Sequence, residues 1–202
     1  MEALFSDLGN LVEQHKELSD PIKISLMLDV ANGLLYLHSQ NPPVIHRYLS
    51  AANILISLDL RGKIADLGVA KLLDIDSDRQ TVQPGAYAYM APEALLEIPQ
   101  YGTKLDIFSY GAVLLYAINC DFPKVYEPLS YADIKQGQMQ IARRMKAVKS
   151  AEGHCLYSLA VQCLHDHPDR RPNTEQIRNS VKSISVYNPR KQAIEYQVIV
   201  RV

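Results

Sequence analysis

The residues with chemical capacity crowd into one stretch, VIHRYLSAANILI, Val44–Ile56. A basic pair, His46 and Arg47, is followed by a phenol, Tyr48, and then by an amide, Asn53. Further on, a carboxylate, Asp66, sits in ADLG on a glycine-flanked turn. A carboxylate and an amide oxygen are donors that suit a metal-bound phosphate, so the set suits phosphoryl chemistry, while Tyr48, between the basic pair and the amide, offers a phenol and no carboxylate. A phenol with an ordinary pKa of about 10 is already protonated at neutral pH.

The chain that must position these groups has 202 residues and a formal net charge of −1. That length supports one domain with a real core. Apolar residues make up 48%, which argues against disorder. The near-zero charge offers no general nucleic-acid footprint. Cys120, Cys155 and Cys163 are odd in number and irregular in spacing, so they form no disulfide framework. Cys155 and Cys163 fall in an apolar helical pattern and read as core thiols. The acidic, amphipathic MEALFSDLGNLVEQHKE does not read as a signal peptide. The longest apolar stretch, GAVLLYAI from Gly111 to Ile118, is too short to span a bilayer.

Helical periodicity dominates. LSDPIKISLMLDVANGLLYLHSQ opens on Asp20 as a cap and Pro21, a residue that loses no hydrogen bond in a first turn. Leu26, Met27, Val30, Leu34 and Leu37 then form one apolar face, and Asn41–Pro43 ends the helix. The short runs VI, NILISLD and GKIADLGVA suit strands and loops, with a turn at Asp59–Gly62. Asp74–Pro84 is polar and reads as a mobile surface segment. Thr103–Ile118 is apolar almost all round, as in a helix buried at the centre of a domain. Tyr131–Lys149 is basic and helical in period, EGHCLYSLAVQCL is amphipathic, and TEQIRNSVKSI starts a last helix capped by Thr174 or Asn173. At the end, Ile194, Tyr196, Val198, Val200 and Val202 alternate with their neighbours, which argues for a strand in need of an edge. His165 and His167, beside Asp166 and Asp169, read as a loop before a helix rather than as a metal site.

Three patches line up in order: HRYLSAAN (His46–Asn53), ADLG (Ala65–Gly68) and YMAPE (Tyr89–Glu93). They resemble the catalytic loop, the magnesium-binding loop and the end of the activation segment of a eukaryotic protein kinase. LDIFSYGAVLLYAI resembles the buried central helix of the same lobe, and CLHDHPDRRP the segment before its last helix. Order and spacing agree from Ser6 to Ile184. GLLYLHSQNPPVIHR and KIADLGVAK look most like the tyrosine-kinase-like group of serine/threonine kinases. The resemblance implies a mainly α fold: a kinase-like C-terminal lobe with short β hairpins over residues 1–184, then a tail over 185–202. The family's glycine-rich loop and nucleotide-anchoring lysine belong to a smaller sheet-based lobe. No G-x-G-x-x-G and no valine-alanine-x-lysine strand stands here, so the N-terminal lobe is expected to be absent.

Residue by residue, the resemblance implies two opposite trends. Asp66 and Asn53 match the two magnesium ligands, Leu67 stands where phenylalanine is usual, and Leu55, flanked by Ile54 and Ile56, matches the floor below the adenine ring. That floor is expected to form an open apolar patch. Arg47 matches the arginine that pairs with a phosphorylated activation segment. Thr81 is the first choice for such a phosphate, ahead of Ser77 and Tyr87. His46 belongs to an internal hydrophobic column, with Leu67 as its neighbour. Asp106 matches the buried acid that braces the backbone around His46 and Arg47, and Glu93 with Arg171 the ion pair that pins the activation segment. Against these, Tyr48 replaces the catalytic aspartate, Ser50 the phosphate-steadying lysine, and Ala86 the threonine that ties the substrate loop to the catalytic loop. Ala52 stands where tyrosine kinases place an arginine instead. A phenol is no ready proton acceptor, and neither serine nor alanine screens charge on a transferring phosphate.

The expected function is a catalytically impaired kinase-like lobe, a pseudokinase, acting as a docking or regulatory module or left as a truncated fragment. The alternative is a serine/threonine or tyrosine protein kinase that moves the γ-phosphate of ATP to protein hydroxyls, active only within a longer chain. Mg2+ and ATP enter through the resemblance alone. The expected partner is a protein or the missing N-lobe, with no nucleic acid and no membrane span. The expected setting is cytoplasmic, or the intracellular part of a larger protein.

Overall fold

The computed structural model describes residues 4–15, 18–67, 86–95, 102–120, 149 and 151–186. The chain opens with a strand, β1 (Leu4–Asp7), followed by α1 (Leu8–Gln14), the long α2 (Asp20–His38), β2 (Ile54–Ser57) and β3 (Gly62–Ile64). Among the described residues the central α3 (Thr103–Asn119), then α4 (Tyr157–Cys163) and α5 (Thr174–Val186), follow. The body is mainly helical with one three-stranded antiparallel sheet of order β1-β2-β3, as the resemblance implies. The expected tail strand, the activation-segment hydroxyls Thr81 and Ser77, and nearly all of the basic Tyr131–Lys149 segment lie outside the described residues.

The first strand, Leu4–Asp7, is an element the sequence pattern does not place. Ser6 pairs with Ile56 and Asp7 with Leu55, so the segment satisfies its backbone on the edge of β2. The helix starts only where Asp7 caps it, its Oδ1 accepting from the Asn10 amide at 2.9 Å. α2 likewise begins one residue off: its cap position is Ser19, and Asp20 and Pro21 form its first turn. The apolar face is as read, with Leu26, Met27, Val30, Leu34 and Leu37 all buried. At the last helix the alternative resolves to Asn173. Its Oδ1 accepts from the Gln176 amide while its own amide donates to Gln176 Oε1, each at 2.9 Å.

α3 is the pillar of the core. Every residue from Leu105 to Ala117 is buried, which accounts for its lack of a polar face. Burial of the Tyr110 phenol is balanced by its donation to the Met27 carbonyl at 3.0 Å, and that bond fixes α3 against α2. α4 lies close to α3 because Gly111 has no side chain: a Cβ there would come within 2.7 Å of the Cys163 Cβ. The β2–β3 hairpin is fastened to α2 by Asp29, which takes Arg61 Nε at 2.8 Å, Arg61 Nη2 at 2.6 Å and the Gly62 amide at 3.1 Å.

Period-two alternation sends Ile54 and Ile56 into the core and leaves Leu55 half-buried on the opposite side. Leu55, the residue matched to the floor, is thus the one of the three that keeps partial exposure. Leu67 is 42% exposed rather than enclosed beside His46. Of the two thiols read as core, only Cys163 is buried; Cys155 precedes α4 and is exposed.

Two predictions follow from this packing. Gly111→Ala forces α4 away from α3 and should cost about 1–3 kcal/mol, read as a lowered midpoint in thermal or urea unfolding. Burial pushes the Cys163 thiol well above its usual pKa, so it should resist a thiol reagent until the protein unfolds, while Cys155 reacts in the folded state.

Candidate functional site

The loop that carries the polar residues is organised by a side chain distant in sequence. Asp106, in the first turn of α3, is fully buried. Its Oδ2 accepts from the His46 amide at 2.8 Å and its Oδ1 from the Arg47 amide at 2.8 Å. His38 Nε2 lies 2.8 Å from the same Oδ2. A buried carboxylate needs such donors, and charge-assisted bonds of this length are the strong kind. Two successive amides can reach one carboxylate only if the chain turns sharply. Arg47 accordingly takes a left-handed φ of 69°, which costs a non-glycine residue about 1–3 kcal/mol. Asp106 therefore holds the backbone of both His46 and Arg47.

Tyr48 follows this turn directly, and its carbonyl accepts from Asn53 Nδ2 at 2.9 Å. The Tyr48 backbone is therefore held on both sides, by the Asp106-bound Arg47 before it and the Asn53 amide after it. Ser50 is extended, and its carbonyl receives the Asn53 amide N–H at 3.1 Å as a short 3-10 turn closes over Ala51–Asn53.

The segment ending in Asp66 joins the loop at two points. The Ala65 amide donates to the Asn53 carbonyl at 2.9 Å, and the Ala65 carbonyl accepts from His46 Nε2 at 2.7 Å. That carbonyl requires the proton on Nε2. His46 is wholly buried, with its Nδ1 unpartnered, so it packs and holds the loop rather than reaching solvent. Beyond Ala65 the chain turns out through Asp66, at a left-handed φ of 64°, and the Asp66 carboxylate is exposed. The fold thus brings Asn53 and Asp66 to one place on either side of Ala65. With its nitrogen committed to Tyr48, Asn53 has its carbonyl oxygen left for a ligand. A carboxylate and an amide oxygen are the hard donors a magnesium ion takes alongside phosphate, so these residues fit that ion. Among the described residues no group of three or more histidine, cysteine, aspartate or glutamate side chains could hold a metal, the His165–His167 loop included.

A second assembly pins the segment containing YMAPE. Arg171 is buried and uses all five donors of its guanidinium. Nη1 reaches Glu93 Oε1 at 2.5 Å and the Lys104 carbonyl at 2.9 Å; Nη2 reaches Glu93 Oε2 at 2.8 Å and the Asp166 carbonyl at 3.1 Å; Nε reaches the His165 carbonyl at 2.7 Å. Its Cζ lies 4.9 Å from the centroid of the Phe108 ring. The Glu93–Arg171 pair read from the sequence is present, and saturated. Ser109 adds a bond from α3 to the Tyr89 carbonyl at 2.8 Å. Ala86 opens the 3-10 turn Ala86–Tyr89, joined by this bond to the α3 pillar.

Sequence reasoning missed His38, Lys104 and Ser109, and read Thr174 only as a helix cap. His38 carried a signal: it continues the apolar face one residue past Leu37, at a helix end where an imidazole is more than packing. Lys104 Nζ bonds the Arg171 carbonyl at 2.5 Å, and desolvation pulls its pKa down, a sign of how closely the segment around it is covered.

Comparison with known proteins agrees with this geometry. The family model described as protein kinase domain matches residues 1–181. Serine/threonine-protein kinase TNNI3K of Mus musculus is 39% identical over 118 residues, 57% of this chain and 14% of that protein. Calcium/calmodulin-regulated receptor-like kinase 2 of Arabidopsis thaliana is 30% identical over 168 residues, 80% of this chain and 38% of that protein. Serine/threonine-protein kinase 12 of the same plant is 32% identical over 181 residues, 88% of this chain and 39% of that protein. The chain thus spans well under half the length of these curated relatives.

Asp106→Asn turns one accepting oxygen into a donor facing a backbone N–H. The expected loss is about 3 kcal/mol, measured as a shift of the urea midpoint at unchanged slope.

Proposed function

The chain belongs to the protein kinase domain family, and from that premise we propose that it keeps the large-lobe scaffold without its phosphoryl transfer and serves a protein partner as a docking or regulatory module. The observation that carries the reading is Tyr48. Its backbone is held between the Asp106-bound Arg47 and the Asn53 amide, so a phenol occupies a position that the fold itself defines. A shifted loop with an acid elsewhere in it is not needed to account for the sequence.

Phosphoryl transfer asks three things of this loop. One group accepts the proton of the attacking hydroxyl, a second screens the charge growing on phosphate, and a third aligns the substrate segment. Tyr48, Ser50 and Ala86 stand at those three positions. A protonated phenol gives no acceptor at neutral pH, and the loss of a positioned base costs roughly 10²–10⁴ in rate. Ser50 brings no cation and Ala86 no hydroxyl. A magnesium-bound nucleotide supplies the phosphoryl group where this chemistry runs; Asp66 and Asn53 are the side chains here that would hold its cation. The side chains that would hold the nucleotide's cation are thus present, while those that would spend the nucleotide are replaced. The docking role, the protein partner and an intracellular setting belong to the same proposal. In the described residues no helix is long and apolar enough to cross a membrane.

The test is transfer of labelled phosphate from magnesium-ATP to a generic protein substrate, by this chain and by any longer natural chain that contains it. The expected result is no label above the level of the Asp66→Ala variant. Tyr48→Asp alone should stay silent as well, because Ser50 and Ala86 remain. Transfer by either unaltered protein that disappears on Asp66→Ala would establish the active-kinase alternative in place of this reading.

A further inference from the structure

His38 and Thr174 take no part in the chemistry of the loop, yet they sit in line with the carboxylate that shapes it. His38 is the last residue of α2, and its side chain is 5% exposed. Its Nε2 is 2.8 Å from Asp106 Oδ2, the oxygen that also receives the His46 amide. An acceptor of that kind requires the proton on Nε2. Nδ1 is then a lone pair, and Thr174 Oγ1 lies 3.4 Å from it. Thr174 is itself buried and is the first residue of α5. Because Asn173 caps that helix, the Thr174 hydroxyl is not consumed by the helix start. The bonds therefore run one way: Thr174 O–H to His38 Nδ1, His38 Nε2–H to Asp106, with Asp106 accepting from His46 and Arg47.

We propose that His38 is a positioning residue that couples the seating of α5 to the turn carrying Tyr48. α5 packs along α2, so a shift of α5 opens the Thr174 contact first. His38 then loses the hydroxyl that fixes its ring, and Asp106 loses a donor. The left-handed Arg47 is held by that same carboxylate, so its turn is the element that relaxes. The inference rests on the fold alone and stands whether or not the lobe transfers phosphate.

Amide hydrogen exchange on the isotope-labelled 202-residue chain tests it. Exchange at His46 and Arg47 is taken relative to Val113 and Leu114, whose amides report global opening. His38→Leu should raise that ratio about tenfold, and Thr174→Val about threefold. His38→Gln, which keeps an N–H donor in reach of Asp106, should bring the ratio back near that of the unaltered protein. A ratio unchanged in His38→Leu, with all four amides accelerating together, would reduce His38 to general packing and overturn the proposal. An unchanged ratio in Thr174→Val would remove the α5 arm and overturn it equally. Should His38→Leu fail to fold, Thr174→Val and His38→Gln decide: a raised ratio in the first and a normal one in the second support the relay, and normal ratios in both defeat it.

Discussion

A carboxylate with no access to water must be surrounded by donors, and the arrangement around Asp106 follows from that requirement. α3 is buried on every side, so its one acid cannot turn to solvent. It is satisfied by His38 and by the amides of His46 and Arg47. Those amides belong to the loop that would do chemistry, so the loop's shape is a condition of folding. Removing a reactive side chain from the loop leaves that condition intact, because backbone rather than side chain meets the carboxylate. This is how a catalytic loop can persist in shape with Tyr48 in it.

Arg171 obeys the same logic with the sign reversed. A buried guanidinium carries five donors, and here Glu93 and three carbonyls take them all. The carbonyls belong to residues 104, 165 and 166, so one side chain ties α3 to the loop before α5, while Glu93 brings in the YMAPE segment. Losing either charge would strand the other in the core. Tyr48 and Ser50, in contrast, are half-buried, and their positions are held through their carbonyls.

The helical body was legible from periodicity: the apolar face of α2 and the all-round burial of α3 both emerged as read. β1 was not, because LFSD has no period of its own and becomes a strand only against the edge of β2. Leu67 was misjudged for a related reason. It is an apolar residue in a short run, and only the outward turn at Asp66 decides which way it faces.

From the order of its residues alone, this chain declares its family, its helices, and which reactive groups its loop possesses and lacks; these are local facts, carried by side-chain chemistry and spacing. Only the tertiary structure decided that the Asn53 carbonyl takes the amide of Ala65, the residue before Asp66, and that Tyr48 is fixed between two anchors. It alone also brought His38 and Thr174 into line with Asp106. The physical reason is that each of these contacts joins segments whose separation along the chain is closed only by burial of the core between α2 and α3.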